Sequence, residues 1–129
     1  DTTAMGDPIG MVSTVNKVEF PTDEVERARA ILDGLGVSYQ VGKVATGEAF
    51  MTKGERADWV AKTFFPALCE MEGGAIAQVC LRNQVKFTAL KSVSDRLCQE
   101  NNAEEYFNYG EAMEKLNAVV LPFAQALGE

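Results

Sequence analysis

Cys69-Glu70-Met71-Glu72-Gly73-Gly74-Ala75-Ile76-Ala77-Gln78-Val79-Cys80 is the stretch whose reading decides the fold. It reads as a short strand that ends in carboxylates and turns at once into a helix. Leu68 and Met71 are apolar, whereas Glu70 and Glu72 are charged and two apart, which on a strand puts both on one face. Gly73 and Gly74 remove side chains where backbone or ligand must come close. Ala75, Ile76, Val79 and Cys80 then give a helical stripe, and small Ala75 and Ala77 suit close packing of that helix on a sheet. Glu72 is thereby placed at the C-terminal edge of a buried strand, the edge at which open α/β sheets bind ligands.

The flanking sequence alternates in the same way. Residues 53–65 read as a helix with Trp59, Val60 and Phe64 on its apolar face, ended by Pro66. Residues 37–46 alternate loosely and read as a strand, followed by a loop at Gly47-Glu48-Ala49-Phe50-Met51. Before it, Thr22 or Asp23 can cap a helix whose first turn is acidic, whose stripe is Val25, Ala28, Ile31, Leu32 and Leu35, and whose stop is Gly34 and Gly36. Residues 1–20 read as a loop with an extended end. Downstream, residues 85–93 read as a central strand running into Ser94-Asp95, and residues 99–103 as a polar, mobile loop. Residues 104–127 carry a long helical pattern that includes Tyr106, Phe107, Met113, Leu116, Val119, Val120 and Phe123. Pro122 is expected to kink or break it. Helix and strand alternating at this spacing predict an α/β fold, a parallel or mixed sheet with helices on its faces.

The chain has 129 residues, 47% of them hydrophobic, which suits one domain and argues against disorder. Its net charge of −7 disfavours nucleic acid and anionic membrane as partners. No apolar run is long enough to span a bilayer and no signal-peptide pattern opens the chain. A first residue of Asp1 rather than Met suggests that something upstream is missing. Cys69, Cys80 and Cys98 lack metal spacing, so no metal or cofactor is expected; the odd number suggests reduced thiols and a cytoplasmic setting. With no histidine, acid–base chemistry falls to carboxylates, Tyr, Lys or Cys.

Three strand ends carry conspicuous groups: Phe50-Met51, Met71-Glu72 and Ser94-Asp95. If the strands are parallel, all three lie on one edge of the sheet. Such parts suit a nucleoside. An aromatic ring stacks on a base, one carboxylate accepts from two vicinal ribose hydroxyls, and a second, protonated, donates to a ring nitrogen. Plainer readings stand beside these. Glu72 can be an exposed acid at a helix start, Glu70 a solvent-facing or supporting group, Ser94-Asp95 a helix cap and Phe50 a core residue. The cysteines read as inert hydrophobes, and Lys91 either steers charge or is simply solvated.

Taken together, these motifs resemble the purine nucleoside phosphorylase/nucleosidase superfamily. In the wording of residues 70–80 they are closest to its 5′-methylthioadenosine/S-adenosylhomocysteine nucleosidases. The likeness runs from about Thr46 to the C-terminus and more loosely over residues 1–45. It implies part of a three-layer α/β/α sandwich with a mixed central sheet, and hydrolysis of the N-ribosidic bond with release of adenine, as in nucleoside catabolism and methionine salvage. On that likeness Phe50 stacks the adenine and the backbone of Met51 reads its edge. Glu70-Met71-Glu72 forms the ribose site, with Glu72 on the hydroxyls. Asp95 protonates N7 of the leaving base and Ser94 positions it. Asp95 must then hold a proton near neutral pH, which partial burial favours. Met5 resembles a residue that lines the 5′-alkylthio pocket of the partner in a homodimer. The family's water-activating glutamate and its glycine-rich N-terminal strands have no match here. The likeness therefore implies that residues 1–129 are the C-terminal portion of a single domain, with the N-terminal half a separate chain. A phosphorylase, or a truncated nucleoside-binding domain without turnover, are the alternatives.

Overall fold

A computed structural model of the chain describes residues 2–96 and 108–128. The readings at Asp1, Cys98, residues 99–103, Tyr106 and Phe107 lie outside the described residues. A short 3-10 turn, Thr3–Met5, is followed by α1 (Val25–Gly34), β1 (Val44–Thr46), α2 (Glu55–Phe64), β2 (Leu68–Glu70), α3 (Gly73–Arg82) and α4 (Tyr109–Gly128). β1 and β2 pair in parallel, with Val44 opposite Leu68, Ala45 opposite Cys69 and Thr46 opposite Glu70. The ladder continues past the strand end, since the Gly47 N–H donates to the Glu70 carbonyl at 3.0 Å. Both strands therefore finish together and release their following loops from one edge.

The core lies between α1 and α4. Ala28, Leu32 and Phe123 are buried in one cluster, with Ile31, Val37, Tyr39, Leu90, Val119 and Leu127 packed around it. Ala28, Ile31 and Leu32 are the inner part of the stripe that the sequence assigns to α1. Leu32→Ala leaves a void in this seam and is expected to lower stability by about 2–4 kcal/mol. Urea unfolding with an unchanged slope checks it.

Several sequence expectations change. Neither Thr22 nor Asp23 caps α1; Glu24 holds that position with a left-handed φ of 56° and no side-chain cap. Asp23 is drawn elsewhere. Its N–H donates to the Phe87 carbonyl at 2.8 Å, and its carboxylate accepts from the Phe87 N–H at 2.9 Å. Its carbonyl also accepts from the Thr88 hydroxyl, and Glu24 pairs with Lys86. Both backbone groups of Phe87 are thus taken by the start of α1. Phe87 therefore offers no ladder bond, and residues 85–93, expected as a strand, form none. The strand expected over residues 37–46 is also shorter. Val37 bonds back to the Leu32 carbonyl and, with Tyr39, packs on the core, so laddering begins at Val44.

The helix expected over residues 53–65 is α2. Phe65 closes it in the left-handed region with φ 50°, immediately before Pro66. Val60 is its buried residue, while Trp59 stands half exposed and meets Phe64 edge to face at 5.6 Å. On α3 the buried residues are Gly73 and Ala77. The Ile76 and Val79 stripe expected to pack inward is 51% and 61% exposed. A helical period reports an apolar face and leaves open what covers it. α4 starts on a reciprocal cap. The Asn108 side-chain carbonyl accepts from the Glu111 N–H at 3.0 Å, and its amide donates to the Glu111 carboxylate at 2.6 Å. α4 continues through Pro122 without the break considered from sequence. No helix among the described residues is long and apolar enough to cross a membrane.

Candidate functional site

β2 ends at Glu70, so Glu72 sits beyond the strand, as the residue preceding α3. Glu70 and Glu72 therefore do not share a strand face, a correction to the sequence reading. The turn places them differently. Glu70 folds inward, with its side chain 9% exposed, while Glu72 is exposed. Glu72 occupies the cap position of α3, yet its carboxylate makes no capping bond. That task falls to Glu70. Its Oε1 accepts from the Gly73 N–H at 2.9 Å, and its Oε2 accepts from the Gly73 and Glu72 N–H groups at 2.7 and 3.1 Å. A carboxylate held against the amides of a helix start satisfies orphan donors and meets the positive end of the helix dipole.

Two side chains complete the arrangement. The Thr46 hydroxyl donates to Glu70 Oε1 and accepts from the Gly74 N–H at 2.8 Å. The Lys91 ammonium donates to Glu70 Oε2 at 2.8 Å. Burial is the largest influence on the Glu70 carboxyl and pushes its pKa up. The bonds from Lys91, Thr46, Gly73 and Glu72 together outweigh it and hold the group down at about 2. Gly74 is required by this packing, and Gly73 leaves room for the Glu70 carboxylate. A Cβ on Gly73 would meet the Glu70 carboxylate at 3.0 Å, and one on Gly74 would meet the Thr46 Cβ at 2.9 Å.

Three loops radiate from this cluster. Phe50 and Met51 lie in the loop after Thr46, with Phe50 57% exposed and Met51 half-buried. Met71 and Glu72 follow Glu70 directly, Met71 at 43% exposure. Ser94 and Asp95 follow Lys91, both half-buried, and the Ser94 hydroxyl donates to Asp95 Oδ2 at 2.9 Å. Chain reach, at most about 3.6 Å per residue, keeps Phe50, Glu72 and Asp95 within roughly 14, 7 and 14 Å of Thr46, Glu70 and Lys91 respectively. Met5, on the Thr3–Met5 turn, is 82% exposed. A separate open groove of about 500 Å³ is lined by Arg29, Asp33, Val37, Ser38, Tyr39 and Val41, and includes none of the strand-end residues.

Sequence reasoning passed over Thr46 and left both Glu70 and Lys91 with two open readings. In the structure the Glu70 carboxylate is bonded to the Thr46 hydroxyl, the Glu72 and Gly73 amides and the Lys91 ammonium. The signal available was positional. Thr46 and Glu70 are the last residues of their strands, where a hydroxyl and a carboxylate can reach the next helix start. No group of metal-ligating side chains occurs among the described residues.

Comparison with known proteins places these features in a family. Residues 4–125 match the model of the phosphorylase superfamily. The chain is 37% identical over 101 residues to a 5′-methylthioadenosine/S-adenosylhomocysteine nucleosidase of Geobacillus thermodenitrificans, covering 77% of this chain and 42% of that protein. It is 39% identical over 99 residues to the same-named protein of Shewanella denitrificans, covering 74% of this chain and 43% of that one. The crystal structure of the Campylobacter jejuni 5′-methylthioadenosine/S-adenosylhomocysteine nucleosidase superposes with a TM-score of 0.79 at 28% identity, over 96% of this chain and 55% of that one. The chain thus spans about half the length of the relatives it matches. The parallel strand pair with its glycine-rich helix start, and a family match across nearly the whole chain, establish that this protein belongs to the phosphorylase superfamily, with its α/β nucleoside phosphorylase fold.

Proposed function

We infer that this chain supplies the base, ribose and acid contacts of a nucleosidase that hydrolyses 5′-methylthioadenosine or S-adenosylhomocysteine and releases adenine. The observation that carries this reading is the Glu70 cluster, which ties the ends of β1 and β2 and the segment leading to Asp95 to one sheet edge while leaving the Glu72 carboxylate uncommitted to capping. Phe50 stacks on the adenine and the Met51 backbone meets its edge. The Glu72 carboxylate accepts from the two ribose hydroxyls, with Met71 against the sugar. Glu70 acts on this site through the Glu72 and Gly73 amides, since both of its oxygens are occupied by protein donors. Asp95, oriented by Ser94, gives its proton to N7 as the glycosidic bond lengthens, because an adenine anion is a poor leaving group. Electron deficiency at the sugar carbon is then relieved by water, and the base that activates that water belongs to no residue described here.

The remaining features follow the same reading. Residues 1–129 form the C-terminal portion of one domain, whose N-terminal half completes a mixed sheet in a three-layer sandwich. Support comes from the share of each relative that is covered and from apolar side chains left exposed, including Ile76 and Val79 on α3. Met5, projecting from its turn, suits the 5′-alkylthio pocket of a second copy in a homodimer. Free Cys69 and Cys80 fit a reducing, cytoplasmic setting.

Glu72→Ala tests the ribose assignment. Loss of a bidentate acceptor for two hydroxyls is expected to weaken nucleoside binding by about 2–3 kcal/mol while leaving free adenine binding within threefold. Isothermal titration with adenosine and with adenine reads both, and equal weakening of the two would remove Glu72 from the sugar.

A further inference from the structure

The Glu70 carboxylate joins segments from three places in the chain. It receives Thr46 from the end of β1, Glu72 and Gly73 from the start of α3, and Lys91 from three residues before Ser94. Its side chain is 9% exposed and that of Lys91 is 32% exposed. Four protein donors from three segments converge on this one partly buried carboxylate. Each of the three segments therefore restrains the other two. Lys91 is held at 2.8 Å from Oε2, and Ser94 follows it by three residues. Three residues span at most about 11 Å, so the Lys91 anchor limits where the Ser94-Asp95 tip can sit relative to the Glu72 turn. The far side of that tip is held as well, by the Asn108 N–H on the Ser94 carbonyl at 2.9 Å. Neither Glu70 nor Lys91 needs to touch substrate for this effect.

Taking the nucleosidase reading as premise, we propose that the Glu70–Lys91 ion pair is a positioning device that sets the Ser94-Asp95 tip against the ribose turn. It governs the bond-breaking step and leaves nucleoside binding largely unchanged. A displacement near 1 Å of a reacting group can lower a rate by about a hundredfold.

The test compares Lys91→Met with Lys91→Arg, the N-terminal portion of the domain being present. Adenine release from 5′-methylthioadenosine is measured, with amide exchange at Asn108, and at Leu35 in the α1 cap as the reference. Lys91→Met is expected to lower kcat about 10- to 100-fold with KM within about threefold. Exchange at Asn108 should quicken about tenfold and exchange at Leu35 should stay the same. Lys91→Arg keeps a cation within reach of Glu70 and should recover kcat to within a few-fold of the original. An unchanged kcat in Lys91→Met, a loss residing wholly in KM, or failure of Arg to restore the rate would overturn the proposal. If the unaltered protein releases no adenine, the nucleosidase reading falls, and exchange alone decides the link. Quickening at Asn108 keeps Lys91 coupled to the tip, and its absence ends the coupling. Lys91→Gln takes the place of Lys91→Met should the latter not fold.

Discussion

Asp95→Asn, with the N-terminal portion of the domain present, is expected to cut adenine release from 5′-methylthioadenosine about a hundred- to ten-thousand-fold. Asn matches Asp in shape and can still receive the Ser94 hydroxyl bond, which is 2.9 Å long in the native pair. It cannot transfer a proton. The loss should therefore fall on kcat, with KM changed little, because Phe50, Met51 and Glu72, the proposed base and ribose contacts, are unaltered. A nucleoside whose base leaves readily without protonation should lose far less, and that contrast separates a missing acid from a distorted site. Release within tenfold of the unaltered protein would remove Asp95 from the chemistry.

The second large effect is on stability and is set by Glu70. Its carboxyl is held at about 2, against an ordinary value of 4.5. A folded-state value below the unfolded one means that the unfolded chain binds the proton more tightly. The stabilisation is therefore complete above about pH 4.5 and is lost as pH falls through about 2. For a side chain that is 9% exposed, it is on the order of 2–3 kcal/mol. Glu70→Gln should flatten that acid limb in circular dichroism melts. Glu70→Ala, which strands Lys91 and the Gly73 and Glu72 amides, should cost about 3–5 kcal/mol at neutral pH. An acid limb of the same depth in Glu70→Gln would assign it to other carboxylates.

Much of this arrangement was legible in the residues. Pro66, the short apolar run to Glu70 and the paired glycines mark α2, β2 and α3 with nearly the observed bounds, because each boundary is fixed by local backbone chemistry. The glycines do mark points of close approach, but the groups that approach are the Glu70 and Thr46 side chains, where the sequence suggested backbone or ligand. What failed was whatever depends on a partner distant in sequence. Residues 85–93 have a strand-like composition, but Phe87 is bonded to Asp23 at the start of α1. Ile76 and Val79 have an inward-facing period but are exposed. Glu70 and Glu72 looked equivalent by spacing, and only the turn at Met71 separates a partly buried, bonded carboxylate from an exposed one. No local pattern encodes which of two neighbouring carboxylates a lysine twenty-one residues away will choose.

The most direct test of the shared site is an amide chemical-shift titration with 5′-methylthioadenosine. The expected result is a concerted response at Phe50–Met51, Met71–Gly73 and Ser94–Asp95 with one apparent dissociation constant. Shifts confined to a single one of these loops, or centred instead on the groove around Arg29 and Tyr39, would contradict a common nucleoside site formed by the three loops.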